Sequence, residues 1–421
     1  MQMRILRLTP HFYYTPDVAA KWVVRMDQIG GMQTQIYRQS LALAKRNIYQ
    51  EILPIAMASV PKKWEPRKGI SVIQGNIPMI PIKSKIRGTV GLNFYWGIGI
   101  FVHLLKYKIK GVKFDLIHTH CSGVATPLII GIIAKKILKV PLVYTVHCCR
   151  ISTYHPMSKI DGILNGTIIK IEKKCLQRAD KIITLTNRTK TIIEKEYKID
   201  TNHINVIPDI IDCKEFIKNL NAKNLNDFKM RYKIPTTKKR IAFIGRIAYE
   251  KGCFILLDAF AKLKKKDCKL IFFGDGNERN LLTKKIKKYG LEKQCQITGY
   301  LPNEEIPFAI ATADFIVMPS LHEEFGGLLL EIAAVGKAVI ASDAGSIPSI
   351  VHDGQTGLLF RAGDVDMLAK KMEDALQSEE TLLRYGKELQ KEIYSRFSFN
   401  SNVDAVCDIY KKLKEDNYVS Y

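Results

Sequence analysis

Short apolar segments alternate with amphipathic helical segments along the whole chain, and this alternation limits the fold more than any other feature. RILRL, DLIHTH, PLVYTV and KIITLT are typical of strands, and helical patterns separate them in the first half of the chain. After a polar, lysine-rich stretch at 212–239, predicted to be a linker with one short helix, the rhythm restarts at RIAFIG. Such alternation favours parallel sheets covered by helices on both faces. We therefore predict an α/β protein with two doubly wound, Rossmann-like domains.

The length of 421 residues fits two domains better than one core. We place an N-terminal domain, expected to bind the acceptor of the reaction inferred below, at 1–211 and a C-terminal, ligand-binding domain at 212–402. Residues 403–421 are predicted to form a last helix, for which a return to the first domain stays open. Doubly wound folds bind ligands beyond the carboxyl ends of their strands, so we expect the site in a cleft between such ends.

Charge is unevenly distributed along the chain. The net charge is +24, and residues 1–210 carry 32 Lys and Arg against 12 Asp and Glu. A basic half can attract a membrane surface, a nucleic acid or a phosphorylated substrate. No nucleic-acid-binding motif accompanies the charge, so no nucleic-acid partner is expected, whereas peripheral membrane contact stays open. The apolar segment at 90–105 predicts a buried helix, with a membrane-dipping helix as the alternative.

The location predicted from the sequence is the cytoplasm. Arg4 and Arg7 interrupt the first apolar run, which favours a first strand over a secretory signal. The nine cysteines are scattered without a Cys-x-x-Cys pair, so neither a zinc site nor a disulfide framework is expected.

The segment SLHEEFGGLLLEIAAVGKAVI (320–340) carries the clearest chemical signal. A glycine-rich turn at a helix start leaves backbone N–H groups pointing outward, and the helix dipole adds positive potential. That combination suits an anion such as a diphosphate. Glu323 before the turn and Glu331 within the helix can accept hydrogen bonds from sugar hydroxyls.

The pattern E-x-F-G-x(4)-E followed by G-x-A-V-I resembles the donor-site signature of retaining GT-B glycosyltransferases of family 4. GGMQ (30–33) resembles the glycine-rich first loop of that family, and IGRIAYEKG (244–252) is similar to its G-R-x(4)-K-G segment. The resemblance implies that Arg246 and Lys251 clamp the diphosphate, a role that suits a planar fork and a point charge.

The same resemblance implies roles for further residues. GDG (274–276) and ITGYLP (297–302) would frame the nucleotide base, Glu331 would hold the ribose and Glu323 the transferred sugar. His147 in YTVH would contact the sugar and the leaving phosphate, whereas His118 and His120 are interpreted as structural residues. The predicted catalytic residues are His147, Arg246, Lys251 and Glu323. The predicted donor-binding residues are Gly30, Gly31, Gly276, Tyr300, Leu301, Phe325, Gly326, Gly327, Leu328 and Glu331.

The family resemblance also implies the type of reaction. A nucleotide-activated sugar would be the donor, and transfer would retain the configuration of the sugar. No Asp-x-Asp motif presents itself as a metal cradle, so we expect no metal and no cofactor, with positive side chains facing the diphosphate. Departures from the family pattern at Glu324 and Asp209 leave the identity of the hexose open.

A narrower resemblance concerns the first domain. DQIGGMQTQIYR, GLNFYW and YTVHCCRISTYHPMSKID resemble segments of the 2-deoxystreptamine glycosyltransferases of aminoglycoside biosynthesis. These enzymes attach N-acetylglucosamine or glucose, from a uridine diphosphate carrier, to an aminocyclitol. Asp27 is the predicted contact for such a cationic acceptor, although the basic domain repels it at long range. A lipid-linked or cell-surface glycan as acceptor, and a sugar-nucleotide epimerase or hydrolase of the same fold, remain alternatives.

Overall fold

The computed structural model describes residues 2–15, 31–56, 60–75, 91–153, 159–236, 239–263 and 267–419. The chain forms two compact units. Unit 1 comprises Met1–Asp209 and Asn400–Tyr421, and unit 2 comprises Ile210–Phe399.

Within the described residues, unit 1 is built on one eight-stranded sheet. Its strands are β1 (Arg4–Leu8), β2 (Tyr49–Leu53), β3 (Lys63–Arg67), β4 (Ile70–Ile73), β5 (Leu116–Ser122), β6 (Leu142–Cys148), β7 (Lys181–Thr184) and β8 (Ile204–Val206). They lie in the order β3-β4-β2-β1-β5-β6-β7-β8. Only the pairing of β3 with β4 is antiparallel. The chain order reverses between β1 and β5, which makes the carboxyl ends of those strands the expected ligand edge of this sheet.

Among the described residues of unit 1 that precede residue 210, the helices are α1 (Gly31–Lys45), α2 (Gly91–Ile109), α3 (Ala125–Leu138), α4 (Arg150–Thr153), α5 (Lys159–Leu176) and α6 (Asn187–Tyr197). α3 packs between α2 and α5. Leu6, Ile117 and Tyr144 of the sheet belong to the apolar core of this unit and are almost fully buried.

Unit 2 contains an all-parallel sheet. Its strands are β9 (Lys239–Ile244), β10 (Cys268–Phe273), β11 (Cys295–Gly299), β12 (Phe315–Met318), β13 (Ala338–Ser342) and β14 (Leu358–Phe360). The order β11-β10-β9-β12-β13-β14 is the 3-2-1-4-5-6 order of a dinucleotide-binding fold. Its reversal between β9 and β12 marks the place where such sheets bind ligands.

The helices of unit 2 are α7 (Cys213–Ile217), α8 (Ala222–Arg231), α9 (Cys253–Ala261), α10 (Arg279–Lys288), α11 (Ile306–Thr312), α12 (Gly327–Val335), α13 (Val365–Gln377) and α14 (Glu379–Arg396). The prediction of one short helix at 212–239 was wrong, because α7 and α8 both form there. Each begins at a side chain that accepts a hydrogen bond from the first helical turn, Asp212 for α7 and Asn221 for α8. Such caps allow short polar segments to become helical.

The last helix, α15 (Phe399–Val419), packs on unit 1. Arg46 binds the Asp404 carboxylate at 2.9 Å, and Lys414 binds the Asp115 carboxylate at 2.9 Å. Tyr410, which lies between Asp404 and Lys414 in the sequence, is fully buried. The C-terminal segment thus belongs structurally to the unit that contains the N-terminus.

The predicted α/β architecture with two doubly wound sheets is confirmed. The nine apolar runs predicted as strands, which are the five named above and KLIFFG, QCQIT, DFIVMP and KAVIAS, all form strands, with ends that shift by at most two residues. The helix predicted near 90–105 forms as α2, which has one face buried in the core and the other exposed.

The turn that leads from β9 into α9 depends on one close backbone approach. Gly252 has φ +69°, and a Cβ there would lie 1.8 Å from the Pro319 carbonyl oxygen, at the end of β12. Only glycine has both the freedom at positive φ and the missing side chain that this approach requires. The two loops at the reversal point of the sheet are therefore held together by backbone contact.

We expect Gly252→Ala to destabilise unit 2 by several kcal/mol, since the carbonyl of Pro319 must move. Gly290→Ala is the matched control, because Gly290 has φ +66° with no atom within 4 Å of the added Cβ. The control should lose only about 1 kcal/mol, from the positive φ alone. Thermal unfolding followed by far-UV circular dichroism measures both. Equal losses in the two variants would show that the contact with Pro319 has no energetic role.

Candidate functional site

The loops after β9 and β12 meet at the reversal point of the sheet in unit 2. The Leu321 amide donates to the Glu250 carbonyl at 2.8 Å, and Gly252 lies against Pro319. The first loop contains Arg246 and Lys251 of the predicted clamp, and the second contains Glu323. The fold thus brings together residues that are more than 70 positions apart in the sequence.

The central side-chain contact of this site is an ion pair. Lys251 Nζ lies 2.7 Å from Glu323 Oε2, and the Ser320 hydroxyl donates to the same oxygen at 3.2 Å. Both side chains of the pair are largely buried, with 28% and 15% exposed. Since a partly buried pair loses little attraction to solvent screening, it holds the Glu323 carboxylate in a defined place.

The backbone of Glu323 is held from a third loop, which follows β13. Gly345 has φ +59°, and a Cβ there would lie 1.7 Å from the Glu323 carbonyl oxygen. That oxygen also accepts a hydrogen bond from the Ser346 amide at 3.3 Å. Sequence analysis missed Gly345, because its contact with a residue of another loop leaves no local pattern, and it also missed Ser320, which lies three residues before Glu323.

Helix α12 begins at Gly327, directly after the loop that follows β12, and its N-cap residue Gly326 adopts a left-handed conformation at φ 82°. No side chain caps the first turn, and that turn contains no acidic residue. The N–H groups at its start therefore remain oriented toward an anion, as the sequence predicts. Phe325 anchors the turn through an edge-on contact with Phe397, at 5.9 Å between ring centroids. Leu328 and Glu331 are half-buried on the helix itself.

Arg246 has a partner that the sequence analysis did not name. Its Nη2 lies 2.6 Å from Glu250 Oε1, in an i,i+4 pair that is 36% and 46% exposed. Exposed pairs of this kind contribute about 0.2–1 kcal/mol, so an incoming anion can displace the carboxylate at small cost. The i,i+4 spacing is the sequence signal that would have indicated Glu250.

Tyr300 and Leu301, two predicted donor-binding residues, follow β11, and Gly276, a third, follows β10. The Ile247 amide donates to the Asp275 carbonyl at 2.9 Å, which places Gly276 beside the loop that carries Arg246. Leu301 is buried, and Tyr300 is 36% exposed, with its pKa raised to about 12 because its surroundings desolvate the phenolate. These residues border the same edge of the sheet as Arg246 and Glu323.

A row of polar side chains covers one face of the sheet in unit 1. Arg7 pairs with His118 across β1 and β5, and His120 pairs with Thr145 across β5 and β6. His120 Nδ1 lies 3.1 Å from His147 Nε2, so the row continues to the carboxyl end of β6. All of these side chains are buried.

Tyr410 of α15 joins this row. Arg7 can only donate, so its Nη2 donates to the Tyr410 hydroxyl at 3.4 Å, and that hydroxyl forms a second hydrogen bond with His118 Nδ1. His118 Nε2 in turn forms a hydrogen bond with the Thr145 hydroxyl at 2.7 Å. His118 and His120, interpreted from sequence as structural, link the last helix to His147.

Burial keeps these histidines neutral. Desolvation, followed by repulsion from the Arg7 cation, lowers the pKa of His147 to about 3. Desolvation lowers the pKa of His118 and His120 well below the usual value as well. A neutral His147 can accept or donate one hydrogen bond at the end of β6, but it is not a cation at physiological pH.

Two of the residues predicted from the first loop cannot be placed. Gly30 and Asp27 lie outside the described residues. Gly31 is the first residue of α1 and is exposed.

The described part of the chain contains no group of three or more His, Cys, Asp or Glu side chains arranged to hold a metal ion. The sequence does contain one Asp-x-Asp, at 364–366. Asp364 caps α13 by accepting from the Met367 amide at 2.8 Å, and Asp366 pairs with Lys262. Both carboxylates therefore have structural partners. Among the described helices, none has the length and apolar character needed to cross a bilayer.

Comparison with known sequences gives matches over both units. Residues 226–392 match the family described as Glycosyl transferases group 1, and residues 29–215 match Glycosyltransferase Family 4. The 2-deoxystreptamine glucosyltransferase of Streptomyces kanamyceticus is 32% identical over 85% of this chain and 93% of its own length. The 2-deoxystreptamine N-acetyl-D-glucosaminyltransferase of Niallia circulans is 30% identical over 88% of this chain and 94% of its own length.

Solved structures share the fold at lower sequence identity. Sucrose-phosphate synthase of Thermosynechococcus elongatus superposes with a TM-score of 0.80 at 19% identity, covering 98% of this chain and 99% of its own. HepE of Anabaena, solved in complex with UDP-glucose, superposes with a TM-score of 0.72 at 18% identity, covering 97% and 100%.

The low pKa of His147 predicts a pH-dependent cost to stability. Below pH 6.5 the unfolded chain binds a proton on this histidine that the folded chain excludes until about pH 3, so stability falls with acidification. Between pH 7.5 and 5.5 the wild type should lose about 1.3 kcal/mol that His147→Gln does not lose. Urea unfolding followed by tryptophan fluorescence measures this, since Trp22, Trp64 and Trp96 all belong to unit 1. His203→Gln, at an exposed position of unit 1, is the matched control. If the free energies of unfolding of wild type and His147→Gln differed by the same amount at both pH values, the result would contradict a buried, neutral His147.

Proposed function

The chain belongs to the family 4 glycosyltransferases and has their GT-B fold, and on that premise we propose that it transfers a hexose from a UDP-sugar to an aminocyclitol such as 2-deoxystreptamine. The observation that carries this proposal is similarity at 30–32% identity to two 2-deoxystreptamine glycosyltransferases over 85–88% of the chain. The similarity includes unit 1, where the acceptor-binding surface of this family is expected. N-acetylglucosamine and glucose are the two candidate hexoses.

The donor diphosphate binds, in this proposal, at the reversal point of the sheet in unit 2. Arg246 and Lys251 stand on one loop there, and the N-terminus of α12 follows the other. The diphosphate displaces Glu250 from Arg246, an exchange made easy by the exposure of that pair. A structural neighbour, HepE of Anabaena, was solved with UDP-glucose, which supports the same class of donor.

The transferred sugar and the ribose are held by carboxylates. Glu323 accepts hydrogen bonds from sugar hydroxyls while Lys251 keeps its Oε2 in place at 2.7 Å. Glu331 lies one helical turn beyond the start of α12 and accepts from the ribose hydroxyls. His147, neutral and hydrogen-bonded to His120, contacts the sugar and the leaving phosphate.

Transfer proceeds with retention of configuration. The acceptor hydroxyl oxygen bonds to the anomeric carbon on the face from which the diphosphate departs. The bond between that carbon and the phosphate oxygen breaks, and the departing phosphate takes the proton of the hydroxyl. Arg246, Lys251 and the N–H groups at Gly326 and Gly327 stabilise the charge that develops on the phosphate. These positive groups replace a metal cation, so the reaction needs none.

A lipid-linked or cell-surface glycan is the second candidate acceptor. It is favoured by one structural observation, the exposed apolar face of α2 in the basic unit. An epimerase or hydrolase of the same fold is distinguished by its products, since neither needs an acceptor.

We expect Lys251→Met to lower kcat/KM about 100- to 1000-fold, because a preorganised charge facing the leaving phosphate is lost. Lys285→Met is the matched control in the same unit. Lys285 pairs with Asp258 at 2.7 Å and is 27% exposed, close to the 28% of Lys251. Arg246→Ala should act in the same direction as Lys251→Met. Near-wild-type activity in Lys251→Met, or an equal loss in the control, would contradict the assignment of the diphosphate site.

We also expect turnover of 2-deoxystreptamine with UDP-N-acetylglucosamine or UDP-glucose in the presence of excess EDTA. Mass spectrometry of the products identifies the donor, the acceptor and the metal requirement in one assay.

Raising the salt concentration from about 20 to 200 mM should increase kcat/KM for the acceptor, because salt screens the repulsion between a cationic acceptor and the basic unit.

Asp27→Asn should raise the KM for the acceptor roughly ten- to a hundredfold, since a charge-assisted hydrogen bond contributes about 1.5–3 kcal/mol.

Two results would overturn this proposal in part. A steep fall of kcat/KM with salt, without turnover of 2-deoxystreptamine, would exclude the aminocyclitol acceptor and leave the donor chemistry standing. Loss of activity in EDTA that is restored by Mg²⁺ or Mn²⁺ would exclude the metal-independent mechanism.

A further inference from the structure

Helix α2 exposes an apolar face. Phe94, Ile98, Phe101, Leu105 and Ile109 follow one another at helical spacing and are 58%, 40%, 41%, 39% and 84% exposed. Trp96, Ile100 and Leu104 lie on the opposite face and are buried in the core of unit 1. A surface helix of a soluble domain normally places polar residues on its outer face. The outer face of α2 is therefore apolar, although the exposure of apolar side chains to water is unfavourable.

The neighbouring helices continue this surface. α3 packs against α2 closely enough that a Cβ at Gly97 would lie 2.8 Å from the Thr126 methyl group, and α3 also packs against α5. Ile129 of α3 is 39% exposed, and Ile163 of α5 is 72% exposed. Both lie in the N-terminal halves of their helices, as do Phe94 and Ile98 in α2.

The C-terminal ends of the same three helices are basic. Exposed lysines lie at or just beyond each end: Lys106, Lys108, Lys110 and Lys113 for α2, Lys136 and Lys139 for α3, and Lys170 and Lys174 for α5. Helices that connect parallel strands run in the same direction, so their apolar halves align with one another and their basic ends align as well. On α3 and α5 the apolar zone thus precedes the basic zone, whereas on α2 the apolar face continues to Ile109, among the lysines of its basic end.

Few acidic groups balance these lysines. Between Glu65 and Asp161 the sequence contains a single acidic residue, Asp115. Its carboxylate is largely buried and is bound by Lys414 at 2.9 Å, so it does not offset the exposed lysines. The basic zone therefore keeps a strong positive potential.

We propose that the outer faces of α2, α3 and α5 dock unit 1 onto an anionic membrane surface. The apolar side chains enter the boundary between headgroups and acyl chains, and the lysines bind lipid phosphates. Charge complementarity favours this occupant over a second copy of the chain, because a second copy carries the same strongly positive N-terminal half, with 32 Lys and Arg against 12 Asp and Glu in residues 1–210. The helix lies in the plane of the interface, and its lysine-rich end is incompatible with crossing the bilayer.

The docking surface does not depend on the proposed acceptor. It is formed by the outer faces of helices that precede β5, β6 and β7, whereas the proposed transfer chemistry uses strand ends and the loops that follow them. A membrane-docked enzyme can act on a soluble aminocyclitol or on a lipid-linked glycan. Docking and transfer therefore require separate measurements.

The test is cosedimentation of the full-length chain with vesicles of phosphatidylcholine alone or with about 30% phosphatidylglycerol. We expect binding to the anionic vesicles that weakens as salt increases. The double variant Phe94→Gln/Phe101→Gln should bind at least about tenfold more weakly, because it lacks two aromatic side chains that would insert into the membrane surface. Lys106→Gln/Lys108→Gln should also weaken binding, because each lysine near an anionic surface contributes.

Leu281→Gln/Leu383→Gln is the matched control. These leucines of unit 2 are 54% and 57% exposed, and their replacement should leave vesicle binding unchanged. Thermal unfolding checks that all variants fold, and activity on a soluble acceptor without vesicles should be the same in each. No sedimentation of the wild type, or equal sedimentation of Phe94→Gln/Phe101→Gln, overturns the proposal. A wild-type dimer in sedimentation velocity that Phe94→Gln/Phe101→Gln converts to monomer also overturns it, since the face would then be a self-interface.

Discussion

The arrangement of the candidate site depends on backbone segments that touch where side chains are absent. The Pro319 carbonyl occupies the space beside Gly252, and the Glu323 carbonyl occupies the space beside Gly345. These contacts join the loops that follow β9, β12 and β13, and they bring Lys251 within 2.7 Å of Glu323. A charge that is placed before the substrate arrives requires no reorganisation during the reaction, which is the condition for efficient electrostatic stabilisation.

In unit 1, the sheet combines an apolar face with a polar one. The apolar face packs under α2, α3 and α5, whereas the other carries Arg7 and three buried histidines. Burying a cation is costly unless hydrogen bonds compensate. Gln39 and Tyr410 supply these bonds to Arg7, and Tyr410 comes from the last helix. The position of His147 at the edge of this sheet is therefore tied to a helix that lies more than 250 residues further along the chain.

Charged groups are arranged differently at the candidate site of unit 2 and on the basic surface of unit 1. At the candidate site, Glu250 neutralises Arg246 and Glu323 neutralises Lys251. On the described surface of unit 1, Lys135 at the end of α3 pairs with Asp180, whereas the other lysines near the ends of α2 and α3 are exposed and stand beside exposed apolar side chains. The first arrangement suits a specific site that exchanges one anion for another. The second suits attraction to an extended anionic surface.

The sequence by itself determined the fold class and most strands, and it pointed to the residues that meet at the candidate site of unit 2. Apolar periodicity and glycine placement are local signals, so they survive without knowledge of the tertiary structure. The short strands β3, β4, β8 and β14 and the polar strand β2 escaped prediction, since three to five residues carry little periodicity and Gln50 and Glu51 interrupt it. Tertiary structure alone decided which partners the polar groups have, including Lys251 for Glu323 and Tyr410 for His118. It also decided which face of α2 meets the core. Both outcomes depend on packing between segments that are distant in sequence, and no local pattern records that packing.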